Sequence, residues 1–216
     1  MNYLAHFHLA GDDGDMLLGA LLGDFVKGPL DPNAPPASLQ AFARPEAIVR
    51  GIQLHRKIDA FVDQTNALTD LQQQIPGASR RCQGILLDLF SDYALANRWQ
   101  QFDDRPLDHY AAHVLDALHA EQHALPDAAS LLLQRMQRYQ LLVNYRKRET
   151  IASIAERIGI RLGMREAMLA GLDSLWSGGE QCLLAFEQGY PLIVNHSATM
   201  REQLQQAGVS AAQRSQ

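Results

Sequence analysis

Cysteine is scarce in this sequence: the 216 residues contain only Cys82 and Cys182, and no motif surrounds either of them. So few cysteines exclude a disulfide framework and a cysteine-rich metal site, and they are typical of proteins in a reducing compartment. We therefore expect the protein to be cytoplasmic.

Long apolar runs and an excess of basic residues are also absent. Because no run of about 18 or more apolar residues occurs, we expect no membrane span and no membrane partner. The first residues, MNYLAHFHLAGDDGD, have no basic segment and soon turn acidic, so they are not interpreted as a secretory signal. The formal net charge of -5 disfavours nucleic acid as a partner, although a local basic patch can still bind an acidic protein. The oligomeric state is unknown from sequence.

The sequence has no convincing segment of alternating apolar and polar residues, so strands are not expected. Ala, Leu, Gln, Glu and Arg dominate, and they favour helices. We predict an all-α fold, a single-domain helical bundle over residues 1–216, in which about 205–216 form a frayed tail. Helices are predicted over 14–26, from 45 to about 74, over 80–101, in the second part of 102–125, over 126–145 and over 148–163, followed by one or two more that Gly178–Gly179 separate. The segments 28–38 and 75–79 are predicted loops.

Polar side chains occupy positions on the apolar seams of three predicted helices. The segment GIQLHRKIDAFVD (51–63) continues a stripe with spacings of 4, 3, 4 and 3, which is the spacing of one helical face. That stripe consists of Ile48, Ile52, His55, Asp59 and Val62, a second consists of Ile85, Asp88, Asp92, Leu95 and Trp99, and a third of Leu17, Leu21 and Asp24. Each predicted helix therefore directs a carboxylate towards the core.

A buried carboxylate requires an ion pair, hydrogen bonds or a metal ion. For any single residue, a salt bridge to Arg50, Arg56 or Arg98 is an equally good interpretation. Taken together, the four carboxylates and one imidazole predict a divalent metal site between helices. Mixed His and Asp ligands suit Mn²⁺, Mg²⁺ or Fe²⁺ better than a structural zinc ion.

Four segments in order, MNYLAHFHLA (1–10), LLGDFVKG (21–28), GIQLHRKIDAFVD and LLDLFSDYALANRW (86–99), resemble the acyl carrier protein phosphodiesterase family. This family, also called acyl carrier protein hydrolase, is related to the HD-domain metal phosphohydrolases. The motifs cover roughly the first 100 residues, and beyond them the resemblance rests on helices. It implies an HD-domain-like fold and a hydrolase that removes 4′-phosphopantetheine from holo acyl carrier protein. It also implies a divalent cation, with Mn²⁺ preferred.

The resemblance carries over to particular residues. It implies Asp24, His55, Asp59 and Asp88 as metal ligands, together with His6, His8 and Asp92 in catalytic roles. One departure from the HD superfamily is that His55 is followed by Arg56 rather than by aspartate, so the ligand set of that superfamily is not transferred. As a hypothesis, His6 or His8 protonates the leaving serine oxygen and Asp92 orients the attacking water. The alternative for the two histidines is an exposed polar turn.

The implied carrier protein is acidic, so its recognition requires basic residues near the metal site. We predict Arg50, Arg56, Lys57 and Arg98 as substrate-binding residues, with an ordinary solvated charged face as the alternative. Tyr3, Phe25 and Trp99 are candidates to line a groove for the phosphopantetheine arm, or else are core residues. The histidines at 109, 113, 119 and 123 are interpreted as surface residues.

Three other functions remain open at this point. The cluster could hydrolyse a nucleotide or another small phosphodiester. The chain could be a non-enzymatic helical protein that binds a structural ion or acidic proteins. It could also be a paralogue that acts on a different carrier domain.

Overall fold

A computed structural model describes residues 1–65, 67–75 and 80–214 of the chain. Over those ranges it contains ten α-helices, short 3₁₀ turns and one isolated β-bridge between Asp31 and Ala34, and no strand. The predicted all-α class is therefore confirmed. No described helix is both long enough and apolar enough to cross a bilayer. The helices are α1 Tyr3–Ala10, α2 Gly14–Leu22, α3 Pro45–Gln64, α4 Thr69–Gln72, α5 Arg80–Asn97, α6 Leu107–Ala120, α7 Asp127–Arg138, α8 Leu141–Asn144, α9 Arg148–Leu162 and α10 Arg165–Arg214.

Several predicted helices end earlier than expected. The helix predicted to reach residue 74 stops at Gln64, because Thr65 adopts an extended conformation before the short α4 begins. The helix predicted over 126–145 is divided at Gln140, whose positive φ of 44° separates α7 from α8. Conversely, α10 continues to Arg214, past the start of the predicted frayed tail, and its interruption lies at Gly179 as the sequence indicates. The predicted loop over 75–79 falls mostly on 76–79, outside the described residues.

Two glycines allow α2 and α3 to touch through their backbones. A Cβ atom built on Gly19 would lie 2.4 Å from the Cα atom of Gly51, far closer than two carbon atoms can approach. With no side chains between them, the helices pack closely enough for Ile48 and Ile52 of α3 to be fully buried. One turn further along α3, the ring of His55 lies against Gly23, the residue that ends α2.

The short helix α1 is the innermost element of the site region. Its Leu4, Ala5 and Phe7 are completely buried, and the helix contacts α2, α3, α5 and α10. His6 is only 2% exposed, so the exposed-turn alternative for the N-terminal histidines is wrong for this residue. The bundle therefore places His6 of α1 beside the polar seam of α3.

Candidate metal centre

His6, His55 and Asp59 form one compact cluster, which α1 and α3 bring together. One ligand atom from each of the three residues lies within 4.8 Å of the others, and such a group can hold a metal ion. His6 Nε2 is 3.0 Å from Asp59 Oδ1, and His55 Nε2 is 3.2 Å from Asp59 Oδ2. The i, i+4 spacing of His55 and Asp59 on α3 explains their common orientation.

The orientation of His55 leaves one of its nitrogens directed at carboxylates. His55 Nδ1 is 2.9 Å from the backbone oxygen of Ala20, which can only accept, so Nδ1 carries the proton. In the neutral ring, Nε2 then presents a lone pair to the Asp59 carboxylate and, 3.8 Å away, to Asp24 Oδ1. Lone pairs that face one another need a proton or a cation between them. A carbonyl that fixes the ring in this way is the usual support for a metal-binding histidine.

His6 supplies the strongest indication of a metal-binding site. The side chain is buried, its ring stacks on that of His55 at 3.8 Å, and neither ring nitrogen has a well-oriented hydrogen bond among the described residues. Burial, together with the neighbouring His55 ring, lowers the pKa of His6 to about 4. The ring is therefore neutral at pH 7, which is the state that binds metals. A buried imidazole that has no well-oriented hydrogen bond and lies next to a carboxylate fits a divalent cation.

Asp59 is the anionic centre of the cluster and is open to solvent. Although burial would raise its pKa, the His55 and His6 rings hold the pKa of Asp59 well below its ordinary value, so the carboxylate stays ionised at neutral pH. Its side chain is 42% exposed. The cluster is therefore accessible from the surface, as a catalytic site must be.

Asp24 and Asp88 lie at the rim of the cluster. Their side chains are 55% and 43% exposed, so the expectation of carboxylates buried in the core is wrong for both of them and for Asp59. The reason for Asp24 is that α2 ends at Leu22 and leaves this residue in the following turn. Asp88 Oδ1 accepts a hydrogen bond of 2.7 Å from the Met1 ammonium group, which also lies 3.5 Å from Asp59. Of these two carboxylates, only Asp24 approaches a histidine of the cluster.

Asp92 is located in the core, where it caps a helix. Its two oxygens accept hydrogen bonds of 3.0 Å from the backbone N–H groups of Leu4 and Ala5, in the first turn of α1. Burial raises the pKa of Asp92 to about 7 against the effect of these hydrogen bonds. Both oxygens are occupied by the backbone, so this placement does not support the predicted role of orienting water. It supports a structural role, because the first N–H groups of a helix have no partner within the helix.

His8 also lies away from the cluster. Its Nδ1 is 2.8 Å from the hydroxyl of Tyr190, and its Nε2 is 3.3 Å from the backbone oxygen of Phe102. Residues i and i+2 of a helix project about 200° apart, so His6 and His8 cannot face the same site once α1 is helical. That spacing is the signal in the sequence that separates them, and this placement does not support His8 as a catalytic residue.

Two of the four predicted substrate-binding cations are engaged within the fold. Arg56 donates hydrogen bonds of 2.7 Å to the backbone oxygens of Val26 and Gly28, and thereby holds the segment that follows Asp24. Arg98 forms ion pairs with Glu180 and Glu187 of α10. Arg50 is half-buried and Lys57 is exposed, and their roles stay predictions.

The three residues predicted to line a groove for the phosphopantetheine arm also differ in their placement. Trp99 is buried, and its indole N–H donates to the backbone oxygen of Arg105, so it is a core residue. Phe25 is half-buried and packs against the core. Tyr3 lies at the entrance of α1, close enough to the Asp24 carboxylate for this neighbour, after burial, to raise the pKa of its phenol. Of these three candidates, Tyr3 is the one placed beside a carboxylate at the rim of the cluster.

Comparison with known proteins identifies the family of this chain. The sequence model of the family described as acyl carrier protein phosphodiesterase matches residues 1–193, which include every residue of the cluster. The chain belongs to the acyl carrier protein phosphodiesterase family. The match extends well beyond the roughly 100 residues that the motifs cover.

Individual relatives align over almost their whole length. A protein of Pectobacterium atrosepticum named acyl carrier protein phosphodiesterase is 27% identical over 202 residues, which are 93% of this chain and 100% of the relative. A protein of the same name from Escherichia coli O6:H1 is 28% identical over 203 residues, covering 92% of this chain and 98% of the relative. No solved structure matches the chain significantly.

Proposed function

We propose that this protein hydrolyses the phosphodiester that joins 4′-phosphopantetheine to the serine of holo acyl carrier protein, giving the apo protein and free 4′-phosphopantetheine. Family membership supports the reaction class and the substrate. The observation that carries the proposal is the cluster of His6, His55 and Asp59, with a buried imidazole that has no well-oriented hydrogen bond and an ionised carboxylate that is open to solvent. We place the reaction in the cytoplasm, on the basis of composition.

The chemistry of the donor set supports a divalent cation held by His6, His55 and Asp59, with Asp24 as a further ligand at the rim and Asp88 more remote. We expect Mn²⁺, with Mg²⁺ or Fe²⁺ as alternatives. When bound, such an ion supplies a water of lowered pKa as nucleophile and positive charge beside the phosphoryl oxygens.

The residues of the chain have complementary roles in this proposal. The Ala20 carbonyl keeps the proton of His55 on Nδ1 and so keeps Nε2 free as a donor of electrons. Burial keeps His6 neutral for the same purpose. Asp59 stays ionised at neutral pH and balances the positive charge. Because Asp24, Asp59 and Asp88 are each about half exposed, solvent reaches the cluster and can protonate the leaving serine oxygen.

The test is the intact mass of purified holo acyl carrier protein after incubation with this protein, with added Mn²⁺ or with a chelator. We expect a loss of about 340 Da, the mass of one phosphopantetheine unit, with Mn²⁺ only. An unchanged mass under every divalent cation would contradict the proposal. Nucleotides and small phosphodiesters, and carrier domains other than the fatty-acid carrier, would then be tested in the same way, and their failure would leave a binding protein.

A further inference from the structure

A second feature of the molecule is a cleft of about 740 Å³ between the start of α1 and the helices α7, α8 and α9. This volume falls within the range of about 300–1,000 Å³ that is usual for small-molecule sites. The wall contributed by α9 runs from Glu149 to Arg161. At 1.5 Å per residue, these twelve steps correspond to a length of roughly 18 Å.

One end of the cleft meets the metal cluster. Tyr3 lines the cleft, and its hydroxyl group lies beside the carboxylate of Asp24. Asp24 is in turn 3.8 Å from Nε2 of His55. A molecule lying in the cleft can therefore place one end at Tyr3, which is connected to the cluster through Asp24.

The α9 wall carries two arginines at the end near Tyr3, whereas its acidic residue, Glu149, lies at the opposite end. Arg157 and Arg161 are one helical turn apart, they are both exposed, and both line the cleft. Throughout the described part of the chain, no carboxylate forms an ion pair with either side chain or with Arg135 across the cleft. Arg161 and Tyr3 line the same end of the cleft, and Arg161 is near enough to lower the pKa of the Tyr3 phenol, whereas Asp24 raises it. One cation therefore lies at the end of the cleft that is nearer to the cluster. These cations suit a phosphate and an acidic protein surface.

The remaining lining combines apolar and polar side chains. Leu132, Ile154 and Ile158 offer apolar surface, while Asn144 and Ser153 offer hydrogen-bonding groups. A pantetheine chain has the matching pattern, since two amides and a hydroxyl separate a gem-dimethyl group and short methylene runs. It has about thirteen bonds between phosphorus and sulfur, equivalent to slightly more than four extended residues, or roughly 15 Å. An extended arm of that length fits within the roughly 18 Å of the α9 wall.

We propose that this cleft is the seat of the phosphopantetheine arm, with the phosphodiester at the Tyr3–Arg161 end beside the cluster and the thiol end towards α7 and α8. The inference rests on the proposed function, whose substrate carries this arm. Arg157 and Arg161 are then specificity-determining residues. They occupy a surface different from that of Arg56 and Arg98, the cations that the fold itself uses.

The test compares steady-state release of phosphopantetheine from holo acyl carrier protein by wild type, Ser153→Trp and Arg161→Glu. The tryptophan fills the cleft, and the glutamate repels the phosphodiester. Matched controls are Ser177→Trp, at an exposed helical serine of α10, and Arg81→Glu, at an exposed arginine of α5. We expect KM to rise at least tenfold in both cleft variants, with Mn²⁺ affinity and the melting temperature unchanged, and we expect neither control to alter KM.

Free pantetheine, which lacks phosphate and protein, serves as a second probe. It should inhibit wild type competitively and should inhibit Ser153→Trp at least tenfold less. If Ser153→Trp does not fold, the exposed Arg161→Glu substitution decides the matter by KM alone. Cleft variants with wild-type KM and unchanged inhibition by pantetheine would overturn the cleft assignment and leave the proposed function intact. Failure of wild type to release phosphopantetheine would overturn both.

Discussion

The structure gives Asp92 a capping role, whereas the sequence predicts a catalytic one, and the variant Asp92→Ala distinguishes between these two roles. The substitution removes both acceptors from the buried N–H groups of Leu4 and Ala5. Each unsatisfied buried N–H destabilises the fold by about 1–3 kcal/mol. Removal of a carboxylate whose pKa burial raises to about 7 offsets part of this loss. We expect a net decrease of roughly 2–4 kcal/mol in the free energy of unfolding.

The assay is urea and thermal unfolding, combined with turnover measured per folded molecule. For a chain of this size, the expected loss lowers the melting temperature by roughly 5–15 °C. Asp92→Asn keeps one acceptor, so its melting temperature should lie between those of wild type and Asp92→Ala. The control is Asp116→Ala on the exposed face of α6, which should change stability by no more than about 0.5 kcal/mol. If Asp92→Ala unfolds like wild type but has lost turnover, the capping role is refuted and the catalytic role predicted from the sequence is restored.

Three further predictions follow from individual contacts. Gly23→Ala should weaken Mn²⁺ binding and turnover at least tenfold, because the new Cβ would lie 2.3 Å from the His55 ring. In the control Gly84→Ala the new Cβ meets nothing within 4 Å, and this variant should stabilise α5 by about 0.5–1 kcal/mol. Equal activity of the two variants would contradict this prediction. Arg98→Ala should lower stability by about 1 kcal/mol through its partly exposed ion pairs and leave KM for the carrier protein unchanged, so a large rise in KM would instead support substrate binding. In the metal-free protein, the pKa of His6 is about 4 in the folded state and 6.5 in the unfolded state, so its stabilising contribution is complete above pH 6.5 and is lost as the pH falls towards 4. The difference in unfolding free energy between wild type and His6→Gln, measured by urea titration, should therefore shrink by roughly 2 kcal/mol between pH 7 and pH 5. A difference that stays constant with pH would contradict the lowered pKa.

The sequence predicts the helical class and the central seam because periodicity records which side of a helix is buried. His55 and Asp59 meet as their spacing indicates, and the resemblance brings in His6. The same periodicity cannot show where a helix ends, so it places Asp24 in a helix that stops two residues earlier. It also cannot distinguish a carboxylate that lines a solvent-open rim, such as Asp88, from one that caps a distant helix, such as Asp92.

Contacts between residues far apart in the sequence explain the remaining differences between the predicted and the observed site. Arg98 lies near the metal motifs in sequence, but its charge is balanced by Glu180 and Glu187, more than 80 residues away. The cleft is even less visible in the sequence, because its lining comes from α1, α5 and α7–α9, and only Asn2, Tyr3 and Leu89 belong to a recognised motif. Such contacts depend on how helices pack, which local spacing does not encode.

The most direct test of the proposed metal centre is the intact mass of holo acyl carrier protein after incubation with Asp59→Asn and Mn²⁺, next to wild type at equal concentration. Asparagine keeps the size of the side chain but removes the charge that the two histidines surround. We expect wild type to remove about 340 Da and a folded Asp59→Asn protein to remove nothing detectable in the same time. Release by Asp59→Asn at the wild-type rate would contradict the assignment of this cluster as the centre that carries out the reaction.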